Sequence, residues 1–161
     1  MIPREVFFTS GVGKHCEKLV SFELALRDAG IEKFNLVKVS SVLPPRCKFI
    51  SREEGIRKLN TGEIVFVVMS EISSNSPGDI VIASIGCAYP KKRNKRGYIA
   101  EYSTKNENEE EARKKSEKMA KFMLESLLDN REDIETLSVS ASSLVEKREW
   151  VTAIAAAVFV L

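Results

Sequence analysis

The strongest constraint on the fold of this chain is a series of β-like runs joined by connections of only a few residues. Ile64 to Ile72 is rich in β-branched residues, the segment 73–79 contains serine, asparagine, proline and glycine, and Ile80 to Tyr89 is a second apolar run. This pattern predicts two antiparallel strands with a turn between them. Glu135 to Leu144 and Trp150 to Leu161, separated by a short charged segment, predict a second hairpin.

Shorter runs add further strands, and three segments predict helices. The other predicted strands are 4–9, 35–41, 47–50 and 98–103, with a glycine-containing loop at 10–13, and the predicted helices are 16–29, 52–59 and 106–129. Strands outnumber helices, and hairpin-length connections favour an antiparallel sheet with helices packed outside it. The sequence therefore predicts an α+β fold.

The helix faces can also be predicted. Ser51 to Glu54 has the form of a capping box that opens the second helix. Apolar spacing predicts that the first helix turns Leu19, Phe22, Leu26 and Ala29 inward, and that the third turns Ala112, Ser116, Met119, Phe122, Met123 and Leu127 inward.

Size and charge limit the classes of function. A chain of 161 residues, of which 43% are hydrophobic, fits one domain spanning 1–161 but is small for a private active site, so a site shared between subunits is expected. Its 25 basic and 23 acidic residues leave a net charge of +2, which indicates neither a nucleic-acid nor a membrane partner. The basic cluster Lys91 to Arg96 contains no aromatic residue to stack a base and is interpreted as a solvated hairpin tip.

Cysteine and histidine content excludes several kinds of site. Cys16, Cys47 and Cys87 are widely spaced and odd in number, which argues against a disulfide framework or a zinc site. His15 is the only histidine, so no multi-histidine metal site is expected. The N-terminus lacks a signal-peptide pattern, and the apolar run 151–161 is too short to span a bilayer, so a cytoplasmic protein is expected.

The stretch that most directly suggests chemistry is the Ser40-Ser41 pair, between an apolar run and Pro44-Pro45. Two prolines restrict the backbone, which is the setting that a self-cleaving serine needs. The Ser41 hydroxyl can attack the Ser40 carbonyl to form an ester; β-elimination and loss of ammonia then leave a pyruvoyl group. From local sequence alone, a strand that ends in two polar residues before a turn is the favoured interpretation.

Four segments resemble the pyruvoyl-dependent arginine decarboxylase family in residue type, order and spacing. They are 28–31, 35–36, 39–45 and 97–102. The specific part is the string Asn-Leu-hydrophobic-x-hydrophobic-Ser-Ser-hydrophobic-hydrophobic-Pro-Pro. The resemblance extends from about Phe7 to the C-terminal apolar run.

This resemblance implies a function and an architecture. It implies cleavage at Ser40-Ser41 into chains 1–40 and 41–161, with residue 41 becoming a covalent pyruvoyl group whose ketone forms a Schiff base with arginine and takes up the electrons released with carbon dioxide. The product would be agmatine, for polyamine synthesis, and no metal or pyridoxal phosphate would be needed. The implied fold is a four-layer αββα sandwich, assembled as a homotrimer with active sites between subunits.

The resemblance also assigns roles to Asn35 and Glu101. Asn35 matches the family's asparagine and, on a regular strand through residue 41, would share a face with Ser41 and support processing. Glu101, in an apolar strand, matches the family's glutamate and would reprotonate the product if burial kept it partly protonated. From position alone, Asn35 could equally bond to a loop, and Glu101 could equally lie on a solvent face.

Substrate binding is assigned to Glu23, Ser40 and Asn35. Counting back from Asn35 without a gap, Glu23 falls where the family is expected to carry an aspartate that holds the guanidinium. The extra methylene could shift the affinity or the preferred side-chain length of the substrate. From position alone, Glu23 could instead be an exposed glutamate of the helix. The new carboxylate of Ser40 would lie beside the pyruvoyl group and could contact a cationic substrate.

Two other functions stay open from the sequence. The first is an unprocessed paralogue that binds agmatine, arginine or a partner subunit without catalysis. The second and more remote is nucleic-acid binding through residues 91–96.

Overall fold

A computed structural model describes all 161 residues as nine strands and three helices. In chain order they are β1 (Glu5–His15), α1 (Lys18–Ala29), β2 (Asn35–Lys38), β3 (Val42–Leu43), β4 (Lys48–Phe49), α2 (Arg52–Lys58), β5 (Ile64–Ser74), β6 (Ile80–Pro90), β7 (Gly97–Lys105), α3 (Glu109–Glu125), β8 (Ile134–Leu144) and β9 (Trp150–Val160). None of the helices is both long and apolar enough to cross a membrane.

The strands form two sheets. The first sheet has the order β2-β5-β9-β1-β4, and the second has the order β3-β7-β6-β8. Most neighbouring strands are antiparallel, as expected. The exceptions are the two edges of the first sheet, where the short strands β2 and β4 pair in parallel with β5 and β1.

The predicted four-layer αββα arrangement is confirmed. Helices α1 and α2 cover the outer face of the first sheet, α3 covers the outer face of the second, and the sheets pack face to face. Fully buried side chains such as Val81, Ile85 and Ile99 fill the space between the sheets, and Phe7, Ile31 and Val67 belong to the core under α1. Burial of these apolar surfaces stabilises the layers.

The two predicted hairpins are wrong. β5 and β6 lie in different sheets, and so do β8 and β9. Their short connections are arches from one sheet to the other, joined by Gly78 N–H donating to the Val145 carbonyl and Val145 N–H donating to the Asp79 carbonyl, both at 2.8 Å. The alternation of apolar and polar residues shows which face of a strand is buried. It does not show to which sheet the strand belongs, because strands of both sheets turn an apolar face toward the same core.

The first strand is longer than predicted because two glycines serve close packing and not a turn. β1 continues through Gly11 and Gly13, which lie against α1. A Cβ on Gly13 would lie 2.1 Å from the Ser21 carbonyl oxygen, and one on Gly11 would lie 2.3 Å from that of Ala25. Glycine at these positions lets the helix approach the sheet closely.

Replacing Gly13 with alanine is therefore expected to destabilise the protein by about 1–3 kcal/mol, because a fixed backbone oxygen occupies the space of the added methyl group. Urea unfolding followed by circular dichroism would measure the loss. Lys14→Ala, at an exposed neighbouring position of β1, is the control and should leave the midpoint unchanged. An unchanged midpoint for Gly13→Ala would contradict the packing argument.

Small residues also determine how the helices pack. The predicted inward faces of α1 and α3 are therefore partly wrong. The buried positions of α3 are Ala112, Ser116, Ala120 and Leu124. Phe122 is 74% exposed, Leu19 on α1 is 78% exposed, and Leu127 is exposed as well. A Cβ on Gly86 of β6 would lie 2.2 Å from the backbone of Ser116, so at this point α3 sits too close to the sheet for a large side chain.

The helix starts are near the predicted ones. Ser51 accepts a hydrogen bond from Glu54 N–H at 3.1 Å, which is one half of the predicted capping box. α3 begins three residues later than predicted because Asn108 is its N-cap, accepting from Glu111 N–H at 3.2 Å. Three glutamates in its first turn complement the helix dipole.

Candidate active site at the Ser40-Ser41 crossing

The Ser40-Ser41 peptide connects the two sheets. β2 pairs with β5 as far as Lys38, and Val39 N–H still donates to the Val67 carbonyl at 2.8 Å. Two residues later, Val42 and Leu43 form β3 and pair with β7 in the second sheet. We call Ser40-Ser41 the crossing peptide, since the chain changes sheets there.

The crossing peptide is held from both sides, but the amide between Ser40 and Ser41 makes no backbone hydrogen bond. On the downstream side, the Ser41 carbonyl accepts from Ile99 N–H at 2.7 Å. Between this bond and the Val39–Val67 bond, neither Ser40 nor the Ser41 N–H has a hydrogen-bond partner. Ser40 is exposed and Ser41 is half-buried. Both flanks of the peptide are fixed, and the Ser40 carbonyl makes no hydrogen bond. This arrangement suits an attack by Ser41 Oγ on the Ser40 carbonyl carbon.

The prediction of one strand from Asn35 to Ser41 is wrong, and with it the shared face of these two residues. β2 ends at Lys38 because the chain must leave β5 to reach β7. Asn35 lies at the opposite end of β2, about 10 Å from Lys38 at the rise of an extended strand. Its Nδ2 donates to the Gly62 carbonyl at 2.8 Å, which is the loop-bonded alternative considered from the sequence.

Glu101 lies on the same side of the crossing as Ser41. β3 and β7 pair with Val42 opposite Tyr98, and the Ser41 carbonyl binds Ile99 N–H. Glu101 is two residues beyond Ile99 on β7, about 7 Å along the same strand face. Its side chain is exposed and makes no hydrogen bond or ion pair. Within one chain, Glu101 therefore lies near Ser41, as predicted, but its side chain is not buried, as the proton-donor role would require.

Glu23 lies on α1, on the outer face of the first sheet. It accepts from Arg27 Nε at 3.1 Å in an i,i+4 ion pair, and its side chain is 41% exposed. The whole first sheet lies between α1 and the second sheet, which carries Ser41 and Glu101. A single chain thus brings Ser40, Ser41 and Glu101 together, but not Glu23.

An apolar cleft of about 560 Å³ lies beside Ser40. Its lining contains no acidic side chain and consists of Met1, Ile2, Pro3, Val39, Ser40, Val42, Pro44, Pro45, Phe66, Phe159 and Leu161. Val39 and Val42, on either side of the crossing peptide, are both exposed. The cleft can accept an aliphatic chain but offers no side-chain carboxylate for a cation.

Sequence reasoning missed the group that holds Ser41. This group is the backbone N–H of Ile99, and no side-chain pattern marks a backbone donor. The sequence also predicted that the whole 91–96 cluster lies in solvent, although Arg93 is half-buried. No group of three or more His, Cys, Asp or Glu side chains is arranged to hold a metal ion.

Comparison with known proteins gives one consistent result. Residues 5–161 match the family model described as pyruvoyl-dependent arginine decarboxylase. The chain is 52% identical to pyruvoyl-dependent arginine decarboxylase 1 of Methanosarcina acetivorans over 162 residues, covering 100% of this chain and 98% of the relative. It is 50% identical to pyruvoyl-dependent arginine decarboxylase 2 of Archaeoglobus fulgidus, covering 100% and 99%, and 50% identical to the enzyme of Methanocella arvoryzae, covering 100% and 98%.

Proposed function

This chain belongs to the pyruvoyl-dependent arginine decarboxylase family, and on that basis we propose that it cleaves itself at the crossing peptide and uses residue 41 as its cofactor. It is an enzyme that decarboxylates arginine with a covalent pyruvoyl group. The observation that carries the cleavage site is the pair of backbone bonds, Val39 to Val67 and Ile99 to Ser41, which fix both flanks of an unbonded Ser-Ser peptide.

The bonds made and broken in self-cleavage all belong to Ser40 and Ser41. Ser41 Oγ attacks the Ser40 carbonyl carbon, the amide C–N bond breaks and an ester forms. Loss of the Ser41 α-proton then expels the Ser40 carboxylate, which ends chain 1–40. The remaining enamine takes up water and releases ammonia, so chain 41–161 begins with a pyruvoyl group. The fixed flanks reduce the entropy that must be lost to reach the first step.

The pyruvoyl group supplies an electron sink when carbon dioxide leaves the substrate. The residues near it fit this chemistry, because Ser41 begins an arm fixed to β7 and Glu101 projects from the same strand with no competing partner. We assign to Glu101 the delivery of a proton to the carbon that lost the carboxylate. Asn35 is proposed to assist processing, as the resemblance implies.

The guanidinium of arginine is best held by a side-chain carboxylate, and the cleft of one chain contains none. We propose that Glu23 of a neighbouring subunit supplies it, in a homotrimer with active sites between subunits. Leu19 lies one helical turn before Glu23 and is 78% exposed, and Val39 and Val42 are exposed around the crossing peptide. Burying these apolar side chains against each other would bring Glu23 towards Ser41.

Intact-mass measurement of the purified protein tests the cleavage. Two chains are expected, 1–40 and 41–161, the larger being lighter by one ammonia than the same chain with an N-terminal serine. A single chain of full-length mass in an active preparation would overturn the proposal. The same single chain with arginine binding and no decarboxylation would identify an unprocessed binding protein.

Mixing of two inactive variants tests the shared site. Glu23→Gln and Ser41→Ala are each expected to lack activity as pure proteins, whereas coexpression should restore about one quarter of the sites, since random mixing pairs an intact Ser41 with a neighbour's intact Glu23 at that frequency. Glu23→Asp keeps the charge and serves as a control with substantial activity. Absence of any recovery on coexpression would argue for sites within one chain.

A cytoplasmic location is part of the same proposal. All three cysteines are free, including the exposed Cys16, and free thiols of this kind suit a reducing compartment. Fractionation of the source cells would check it.

A further inference from the structure

One arginine of the 91–96 cluster does not point into solvent. Arg93 is half-buried, whereas Lys91 and Lys92 are exposed. Its guanidinium carbon lies 4.1 Å from the centre of the Phe49 ring and 4.8 Å from that of Tyr89. The two rings meet edge to face at 4.8 Å, so the cation lies in an aromatic corner built by β4 and β6.

From this corner Arg93 holds the turn that follows the crossing peptide. Its Nη2 donates to the Cys47 carbonyl, and its own carbonyl accepts from Arg46 N–H at 2.9 Å. Both the side chain and the backbone of one residue are thus bonded to neighbouring residues of one turn. Arg93 forms no ion pair, so the backbone carbonyl is its main polar contact.

The turn itself requires such support. Cys47 N–H donates to the Pro44 carbonyl at 3.2 Å, with Pro45 and Arg46 as the central residues. Arg46 has a φ of 61°, the left-handed conformation that a type II turn normally gives to glycine or asparagine. Arg93 has a φ of 58° as well. Two non-glycine residues in this conformation, bonded to each other, persist only because the surrounding contacts hold them.

We propose that Arg93 is a positioning residue for self-processing and for the pyruvoyl group that results from it. Residues 41–47, which we call the downstream arm, contact the second sheet and its β6–β7 loop at three places: the Ser41–Ile99 bond, the pairing of β3 with β7, and Arg93. Arg93 is the contact furthest from Ser41 and fixes the far end of the arm. The inference rests on the proposed cleavage at Ser40-Ser41.

Cleavage makes this support more important. Before cleavage, Ser41 is held through the chain by the Val39–Val67 bond as well. Afterwards, residue 41 is a chain end, and chain ends fray unless they are fixed. The downstream arm is then held by these three contacts, by the burial of Leu43 and Cys47 in the core, and by β4, which follows the arm and pairs with β1. Arg93 supplies the side-chain hydrogen bond among these contacts.

Buried groups around Arg93 do not compete for its charge. Burial raises the pKa of the Cys47 thiol to about 11, so the thiol stays neutral at physiological pH. Burial likewise raises the pKa of Cys87 to about 12. The guanidinium therefore remains available for the Cys47 carbonyl and the two rings.

The test compares cleavage time courses of freshly translated Arg93→Ala, Arg93→Lys and Lys92→Ala on denaturing gels. Arg93→Ala is expected to cleave at least about tenfold more slowly, since small misplacements of reacting groups cost one to two orders of magnitude in rate. Arg93→Lys keeps the charge but loses the planar guanidinium group, so its cleavage rate should be intermediate. Lys92→Ala removes the same charge from the same loop without these contacts and should cleave normally.

Two further readouts separate positioning from general stability. Millimolar guanidinium, far below denaturing concentrations, should accelerate cleavage of Arg93→Ala and leave Lys92→Ala unchanged. The fully processed Arg93→Ala enzyme should lose kcat with little change in KM. A wild-type cleavage rate for Arg93→Ala would overturn the inference, and so would slow cleavage without rescue by lysine or guanidinium.

These outcomes are distinguishable from failure of the cleavage proposal. If Ser41→Ala still yields chains 1–40 and 41–161, the proposed processing is rejected whatever Arg93 does. If Ser41→Ala blocks cleavage while Arg93→Ala cleaves normally, only the role of Arg93 is rejected.

Discussion

Ser41→Ala should give a single uncleaved chain and reduce arginine decarboxylation by about 10³-fold or more, because alanine has no hydroxyl to form the ester, so neither the cleavage nor the pyruvoyl group that results from it can arise. The substitution removes one oxygen from a half-buried position whose carbonyl bond to Ile99 is made by the backbone, so the fold should be retained. Intact mass, carbon dioxide release and circular dichroism measure these three effects.

Ser40→Ala is the matched control. It removes the neighbouring hydroxyl but leaves the attacking Ser41 and the carbonyl of residue 40 in place. Cleavage should continue, and the small chain should end in alanine. A Ser41→Ala chain that still divides, or a wild-type chain that divides at another bond, would contradict the assignment of the crossing peptide.

Glu101→Gln is expected to separate processing from turnover. Cleavage should proceed, since Ser41 and both flanking backbone bonds are unchanged, and the gel should show two chains. kcat should fall by about 10²–10⁴-fold, the usual contribution of a general acid, because an amide cannot deliver the proton. KM for arginine should change little if Glu101 acts on the reacting carbon and not on the guanidinium.

Glu107→Gln provides the comparison for Glu101→Gln. Glu107 follows the same strand but is already engaged, accepting from the Tyr102 hydroxyl at 3.1 Å. Its loss should leave kcat near the wild-type value. Equal losses in both variants, or a processed Glu101→Gln enzyme with full activity, would remove Glu101 from the proposed proton transfer.

The parts of the fold that the sequence predicted are those in which local pattern and global packing agree. Layer order, most element positions and the Ser51 cap all follow from spacing and from the family motif. The sheet to which β6 or β9 belongs could not be predicted, because an arch and a hairpin need the same turn residues and the same alternation. Gly11 and Gly13 were misread for a related reason: glycine marks both turns and close contacts.

The candidate site, too, was predicted only in part from the sequence. Ser40, Ser41 and Glu101 were predicted from a motif, and the strand pairing places them on one side of the crossing. The geometry of Asn35 was wrong because alternation was extended past the point where β2 ends. Arg93 was predicted to lie in a solvated tip because the 91–96 cluster contains no aromatic residue, and only the folded chain places Phe49 and Tyr89 around it.

The position of β1 has a consequence for the protein after processing. Chain 1–40 contains β1, which pairs with β9 along eleven residues, and β2, which pairs with β5. Val6 and Phe7 of the short chain are fully buried between elements of the long one. A cut at Ser40-Ser41 would therefore turn these core contacts into a binding interface between two polypeptides.

Unfolding would then separate two molecules that were made as one. Recovery would require a bimolecular encounter of two incomplete sheets, each with exposed edges prone to pairing with the wrong partner. The processed enzyme should consequently depend on a slow unfolding rate for its lifetime, whereas its precursor can reach the native state by itself. Each molecule would fold as one chain only once.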